Sequence, residues 1–174
     1  MDTESHEAAI LQDAERLAAA DGDAWETLHQ VCVTLASRVH GYDWVGFYLV
    51  DPLHPRDLVL GPYVGDPTEH VRIPFGVGIC GQAAEAGQPF LVADVAREGN
   101  YLACSLKVKS EIVVPVWREG RVAGELDIDS HQPNRFSDED RKLLEAVCAR
   151  IAPVVERCRY DPRIAGRFGV QERG

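Results

Sequence analysis

The residues of this chain best suited to chemistry lie between Cys104 and Ser130. There a thiol precedes Glu111 by seven positions, and two further acids, Asp127 and Asp129, alternate with apolar residues. A thiol beside clustered carboxylates suits redox or acid-assisted chemistry. Residues 111–117 and 121–129 have strand composition, and Arg118-Glu119-Gly120 between them suits a three-residue hairpin loop with a bulge at the glycine. Such a loop pairs Trp117 with Arg121 and, counted back along the ladder, Glu111 with Asp127. Asp129 then shares that face and lies diagonally across from Glu111. Like charges facing one another destabilise a sheet, so the trio calls for a bound cation, a shared proton or open solvent. A solvated outer face is the plainer alternative.

Two other places invite attention. Cys80 sits where a glycine-punctuated segment, residues 73–81, runs into a short helix at residues 82–87. A thiol near a helix N-terminus is favoured as thiolate by the dipole and the free N–H groups. Trp44 and Tyr48 flank Gly46 on one face of an apolar run. The glycine leaves a notch where a ligand could lie against both rings, unless the rings simply cover core.

The elements that must position these groups follow from periodicity. Residues 5–20 carry Ile10, Ala14, Leu17 and Ala18 on one helical stripe. Asp23 caps a second helix with Glu26 at its third position, and Leu28, Val31, Cys32, Leu35 and Val39 recur at helical spacing. Strands are expected at 42–50, 58–63 and 90–92, with a proline-bounded loop at 51–56 and irregular chain at 93–109. Ser137 caps a last helix whose apolar face is Leu143, Leu144, Val147, Ile151, Val154 and Val155, and Pro153 should kink or shorten it. The sequence therefore reads as one domain over residues 1–160 and a loose tail over 161–174.

Composition excludes several classes of function. A net charge of −10 without a basic block argues against nucleic acid. No apolar run approaches the roughly 20 residues of a membrane span, and the acidic N-terminus lacks a secretory pattern, which points to a cytoplasmic protein. Five cysteines without C-x-x-C indicate neither a disulfide framework nor a zinc ribbon, and Cys32, Cys148 and Cys158 fit as small buried hydrophobes. The six histidines show no metal-ligand spacing, so a metal site drawing on His70, Cys80 and the acids is the less favoured reading, and neither metal nor cofactor is expected.

Taken in order, these motifs resemble a GAF domain, and more specifically the free methionine-(R)-sulfoxide reductases, stand-alone GAF enzymes acting on the free amino acid. The matching pieces run from Trp44-Val-Gly-Phe-Tyr48 through Leu58-Val-Leu-Gly-Pro62, Val71-Arg-Ile-Pro74, Gly78-Ile-Cys-Gly81, Ala103-Cys104 and Ser110-Glu-Ile-Val113 to Leu126-Asp-Ile-Asp-Ser130 and Arg135-Phe-Ser-Asp-Glu-Asp140. The resemblance implies an α+β fold, a GAF-like antiparallel sheet with N- and C-terminal helices packed on one face. It makes Cys104 the nucleophile, gives Glu111, Asp127 and Asp129 the substrate ammonium and the sulfoxide oxygen, and sets Trp44 and Tyr48 around the terminal methyl. It implies a sulfenic acid and disulfide cycle, thioredoxin or another thiol as reductant, and a homodimer. His70 stands where the family commonly carries its resolving cysteine, so Cys80 is the substitute expected here. The alternative is a non-catalytic GAF module that binds a small molecule and regulates a partner.

Overall fold

A computed structural model describes residues 3–101 and 106–165. The elements are α1 (Thr3–Ala19), α2 (Ala24–Arg38), β1 (Trp44–Asp51), β2 (His54–Val64), β3 (Arg72–Pro74), α3 (Gly78–Ala86), β4 (Phe90–Val92), a 3-10 turn at Val95–Arg97, β5 (Ser110–Arg118), β6 (Arg121–Ser130) and α4 (Asp138–Cys158). The six strands form one sheet in the order β3-β2-β1-β6-β5-β4, with every pairing antiparallel. The architecture is α+β, as expected.

Alternation sorts the sheet into two faces. Val45, Phe47 and Leu49 of β1, Ile112, Val114 and Val116 of β5, and Leu126 and Ile128 of β6 join the core built with α1, α2 and α4. The N- and C-terminal helices thus share one face. Trp44, Tyr48 and Val50 point the other way, into a second apolar cluster with α3 that contains Ile79, Cys80 and Ala83.

Local chemistry explains most element ends. The Asp23 carboxylate accepts from the Glu26 amide at 2.9 Å at the start of α2. Ser137 and Asp140 form a reciprocal capping box on α4. Pro153 does not shorten that helix, which continues to Cys158. Residues 161–165, expected as the start of a loose tail, form a turn that seats Ile164 fully buried in the helix-side core. The proline-bounded loop at 51–56 is also tighter than expected, since Asp51 already pairs with His54 and β2 begins there.

The hairpin carrying the acids departs from expectation in register. Its turn holds two residues, Glu119 (φ 53°) and Gly120 (φ 77°), with Arg118 opposite Arg121. Positive φ at both central positions is what a type I′ turn requires. A bulge then puts Val116 opposite Gly124 while Trp117 faces Val122, so Glu111 lies directly across from Asp129, not Asp127. The shorter turn shifts the pairing by one residue and the bulge by one more. Either shift alone would set Glu111 across from Ile128 and on the opposite face from Asp127 and Asp129; together they return it to their face.

Candidate functional site

The site is built from three neighbouring rows of one sheet face. Trp44, Gly46 and Tyr48 of β1 stand opposite Asp129, Asp127 and Glu125 of β6, and β5 places Glu111 beside Asp129 on the other side. Four carboxylates are therefore gathered here, one more than the sequence reading identified. Glu125 continues the same two-residue alternation as Asp127 and Asp129, and that spacing was the signal available to find it.

These acids are not solvated. Glu111 is 3% exposed, Glu125 and Asp127 0%, and Asp129 1%. Helix α3 covers them. Gly81 lets the segment leading into the helix fold back against it: a Cβ there would lie 2.5 Å from the Pro74 carbonyl oxygen. Its first turn is held by Asn100, whose side chain accepts from the Gly78 amide and donates to the Gly76 carbonyl, both at 3.0 Å. α3 begins at Gly78, four residues earlier than expected, so Cys80 lies within its first turn.

That placement aims the Cys80 thiol at the acids. Its Sγ donates to Asp127 Oδ2 at 3.3 Å and lies 3.8 Å from Glu111 Oε1. Contrary to the expectation from sequence, the helix terminus does not favour its thiolate. Burial, followed by the negative charges of Asp127, Glu125 and Glu111, pushes the thiol well above its ordinary pKa. Desolvation and three acids outweigh one short helix dipole.

The carboxylates show the same effect. Burial, reinforced by the charge of Asp127, holds both Glu125 and Asp129 well above the ordinary carboxylate range. Burial raises Asp127 as well, while hydrogen bonds with Glu111 and Cys80 work against that rise. Both oxygens of Glu125, both of Asp129 and Oδ1 of Asp127 have no hydrogen-bond partner among the described residues.

The aromatic pair is brought to the acid face, but not as a notch. The Trp44 indole folds over Gly46, where a Cβ would stand 2.3 Å from Cη2, and stacks on Tyr63 at 5.3 Å between ring centroids. The space expected beside Gly46 is filled by the neighbouring ring itself. Tyr48 donates its hydroxyl to the His70 carbonyl at 2.9 Å. With His70, Val77, Cys80, Tyr101 and Glu111 it lines a cavity of about 10 Å³. That is room for one water, against the roughly 300 Å³ or more of small-molecule pockets, so a ligand must open it. Cys104, the proposed nucleophile, lies outside the described residues. Cys32, Cys148 and Cys158 are buried in the helix-side core, away from this site.

Cys80, Glu111 and Asp127 bring a sulfur and two carboxylate oxygens within 4.8 Å of one another, a donor set able to hold a divalent cation. No helix among the described residues is long and apolar enough to cross a membrane.

Comparison with known proteins agrees with this fold. The GAF domain family matches residues 24–155. The free methionine-R-sulfoxide reductase of Escherichia coli is 35% identical over 162 residues, covering 93% of this chain and 96% of that protein. The same enzyme from Neisseria meningitidis, solved with its substrate, superposes with a TM-score of 0.82 at 34% identity, covering 90% of this chain and 93% of that one. The type II enzyme of Thermoplasma acidophilum superposes at 0.74 with 38% identity, over 78% and 94% of the two chains.

Proposed function

This chain belongs to the free methionine-(R)-sulfoxide reductases of the GAF-domain family, and from that premise we propose how its own residues reduce free L-methionine-(R)-sulfoxide to L-methionine. The observation that carries the reading is a set of buried carboxylates in which both oxygens of Asp129, both of Glu125 and Oδ1 of Asp127 find no hydrogen-bond partner among the described residues. Buried acids without a counter-charge are costly, and the free ammonium of an amino acid is a cation of the right size to relieve them. A non-catalytic module leaves the same acids unexplained unless its ligand is also a cation.

Glu111, Asp127 and Asp129 hold the ammonium, and a protonated carboxyl among them donates to the sulfoxide oxygen. Trp44 and Tyr48 supply the apolar wall for the terminal methyl. Cys104 attacks the sulfoxide sulfur, and the oxygen passes to it: the substrate sulfur is reduced, Cys104 becomes a sulfenic acid and methionine leaves. The Cys80 thiol then attacks the sulfenic sulfur, forming a disulfide and releasing water. Asp127, already 3.3 Å from Sγ, takes the thiol proton and passes it to the hydroxide that leaves the sulfenic sulfur as water. A dithiol such as thioredoxin supplies the two electrons that restore both thiols. The same reading takes the working unit to be a cytoplasmic homodimer, which sedimentation of the pure protein and cell fractionation check.

Purified full-length protein with dithiothreitol is expected to convert the free (R)-sulfoxide and to spare its N-acetyl derivative, and Cys104→Ser is expected to abolish turnover. Undiminished activity in that variant would remove Cys104 from the nucleophile role, and equal turnover of the blocked substrate would contradict the ammonium assignment. Cys80→Ala is expected to keep single-turnover methionine release while slowing thioredoxin-driven cycles.

A further inference from the structure

We propose that Cys80, Glu111 and Asp127 form a binding site for a thiophilic divalent cation of the Zn²⁺ class, with Glu125 as the carboxylate at hand to complete it. The ligand atoms already have the spacing. Zn–S and Zn–O bonds of about 2.3 and 2.1 Å at a tetrahedral angle place sulfur and oxygen about 3.6 Å apart. The Cys80 sulfur lies 3.3 Å from Asp127 Oδ2 and 3.8 Å from Glu111 Oε1, one slightly inside and one slightly outside that edge. All three ligand atoms fall within 4.8 Å of each other.

A second observation is independent of the cluster's acidity. Glu125 is 0% exposed, neither of its oxygens meets a partner at full hydrogen-bond geometry among the described residues, and the donor its carboxylate faces is the Cys80 thiol. Asp127 Oδ1 is similarly unpartnered. A buried carboxylate that faces a thiol and no cationic group is a ready further ligand for a metal ion. The mixed sulfur and oxygen donor set selects zinc, or cadmium and cobalt as its surrogates, over the hard cations magnesium and calcium. Binding expels the thiol proton to solvent and leaves Cys80 as a metal-bound thiolate. The small cavity beside Tyr48 and Val77 is lined by both Cys80 and Glu111 and is the side from which an ion would reach them.

One consequence rests on the proposed function: the cation takes two carboxylates assigned to the ammonium, so metal and substrate exclude each other. It also occupies the thiol assigned to resolve the sulfenic acid.

Equilibrium dialysis of the reduced full-length chain against zinc is expected to give one tightly held ion per chain. Cobalt in its place should show a thiolate-to-metal charge-transfer band and the intense visible absorption of a tetrahedral site. Both signals should survive in Cys104→Ser and vanish in Cys80→Ser. A band that persists in Cys80→Ser, or disappears in Cys104→Ser, overturns the assignment. Should Cys80→Ser fail to fold, Glu111→Gln and Asp127→Asn are read instead, and unchanged zinc affinity in both is equally fatal. No binding to the native protein ends the proposal outright. Free methionine-(R)-sulfoxide should displace cobalt competitively; substrate turnover with no displacement would separate the two sites and refute the shared ligands. Cobalt bound as described in a protein that does not reduce the sulfoxide would instead leave this site standing and defeat the proposed function.

Discussion

Glu125→Gln removes one titrating carboxyl from the buried cluster while keeping its shape. Glu125 faces Tyr48 on one side and Pro115 on the other, is 0% exposed and has no hydrogen-bond partner among the described residues. Burial, then the charge of Asp127, raises its pKa well above the ordinary 4.5 of a glutamate. The folded state therefore keeps a proton that the unfolded chain gives up. Its contribution to stability is whole below the unfolded pKa and is lost as pH rises from there through the folded value. Between those limits the loss runs at about 1.4 kcal/mol per pH unit. Glutamine does not titrate, so the variant's stability should gain on the wild type by that slope as pH is raised above about 5. The amide carries its own unmet hydrogen bonds, worth roughly 1–3 kcal/mol, but that offset does not vary with pH. The slope is therefore the quantity to read. Urea unfolding at a series of pH values, with a chelator present, measures it for both proteins. Parallel curves would mean that Glu125 ionises as readily in the fold as outside it, and the account of an uncompensated acid would be wrong.

Gly46→Ala sets a Cβ 2.3 Å from the Trp44 ring and 2.8 Å from Tyr63 Cβ, so the indole must retreat by about 1 Å to reach ordinary contact and strains its 3.0 Å bond to the Asp66 carbonyl. A loss of about 1–3 kcal/mol is expected in thermal or urea unfolding; an unchanged midpoint would show that the ring moves freely. Ser137→Ala removes the side chain that caps α4 and should cost about 1 kcal/mol, with Ser137→Gly costing less. Glu119→Asn supplies a residue that tolerates the left-handed conformation at φ 53° and should raise stability by up to roughly 1 kcal/mol, a gain that calorimetry would detect. Asp129→Asn leaves the fold intact but takes charge from the ammonium site, so KM for the free sulfoxide should rise at least about tenfold; an unchanged KM would exclude Asp129 from binding.

Much of this protein was legible in its sequence because the relevant physics is local. Caps at Asp23 and Ser137 answer to the amides just after them, and helical periodicity decided which side chains of α2 and α4 face the sheet. The two-residue period of β6 put Asp127 and Asp129 on one face whatever the register, and the same rule applied to Glu125 would have placed it there as well. What lay across from them was another matter. Pairing depended on a two-residue turn and a bulge whose shifts add, and neither is dictated by strand composition. Only the tertiary structure laid α3 over the sheet, brought Cys80 to within 3.3 Å of Asp127 from 47 residues away in the chain and folded the Trp44 ring onto Gly46. Those contacts joined distant segments and stripped water from the acids. A carboxylate's charge state depends on the solvent it has lost, which no spacing along a chain records.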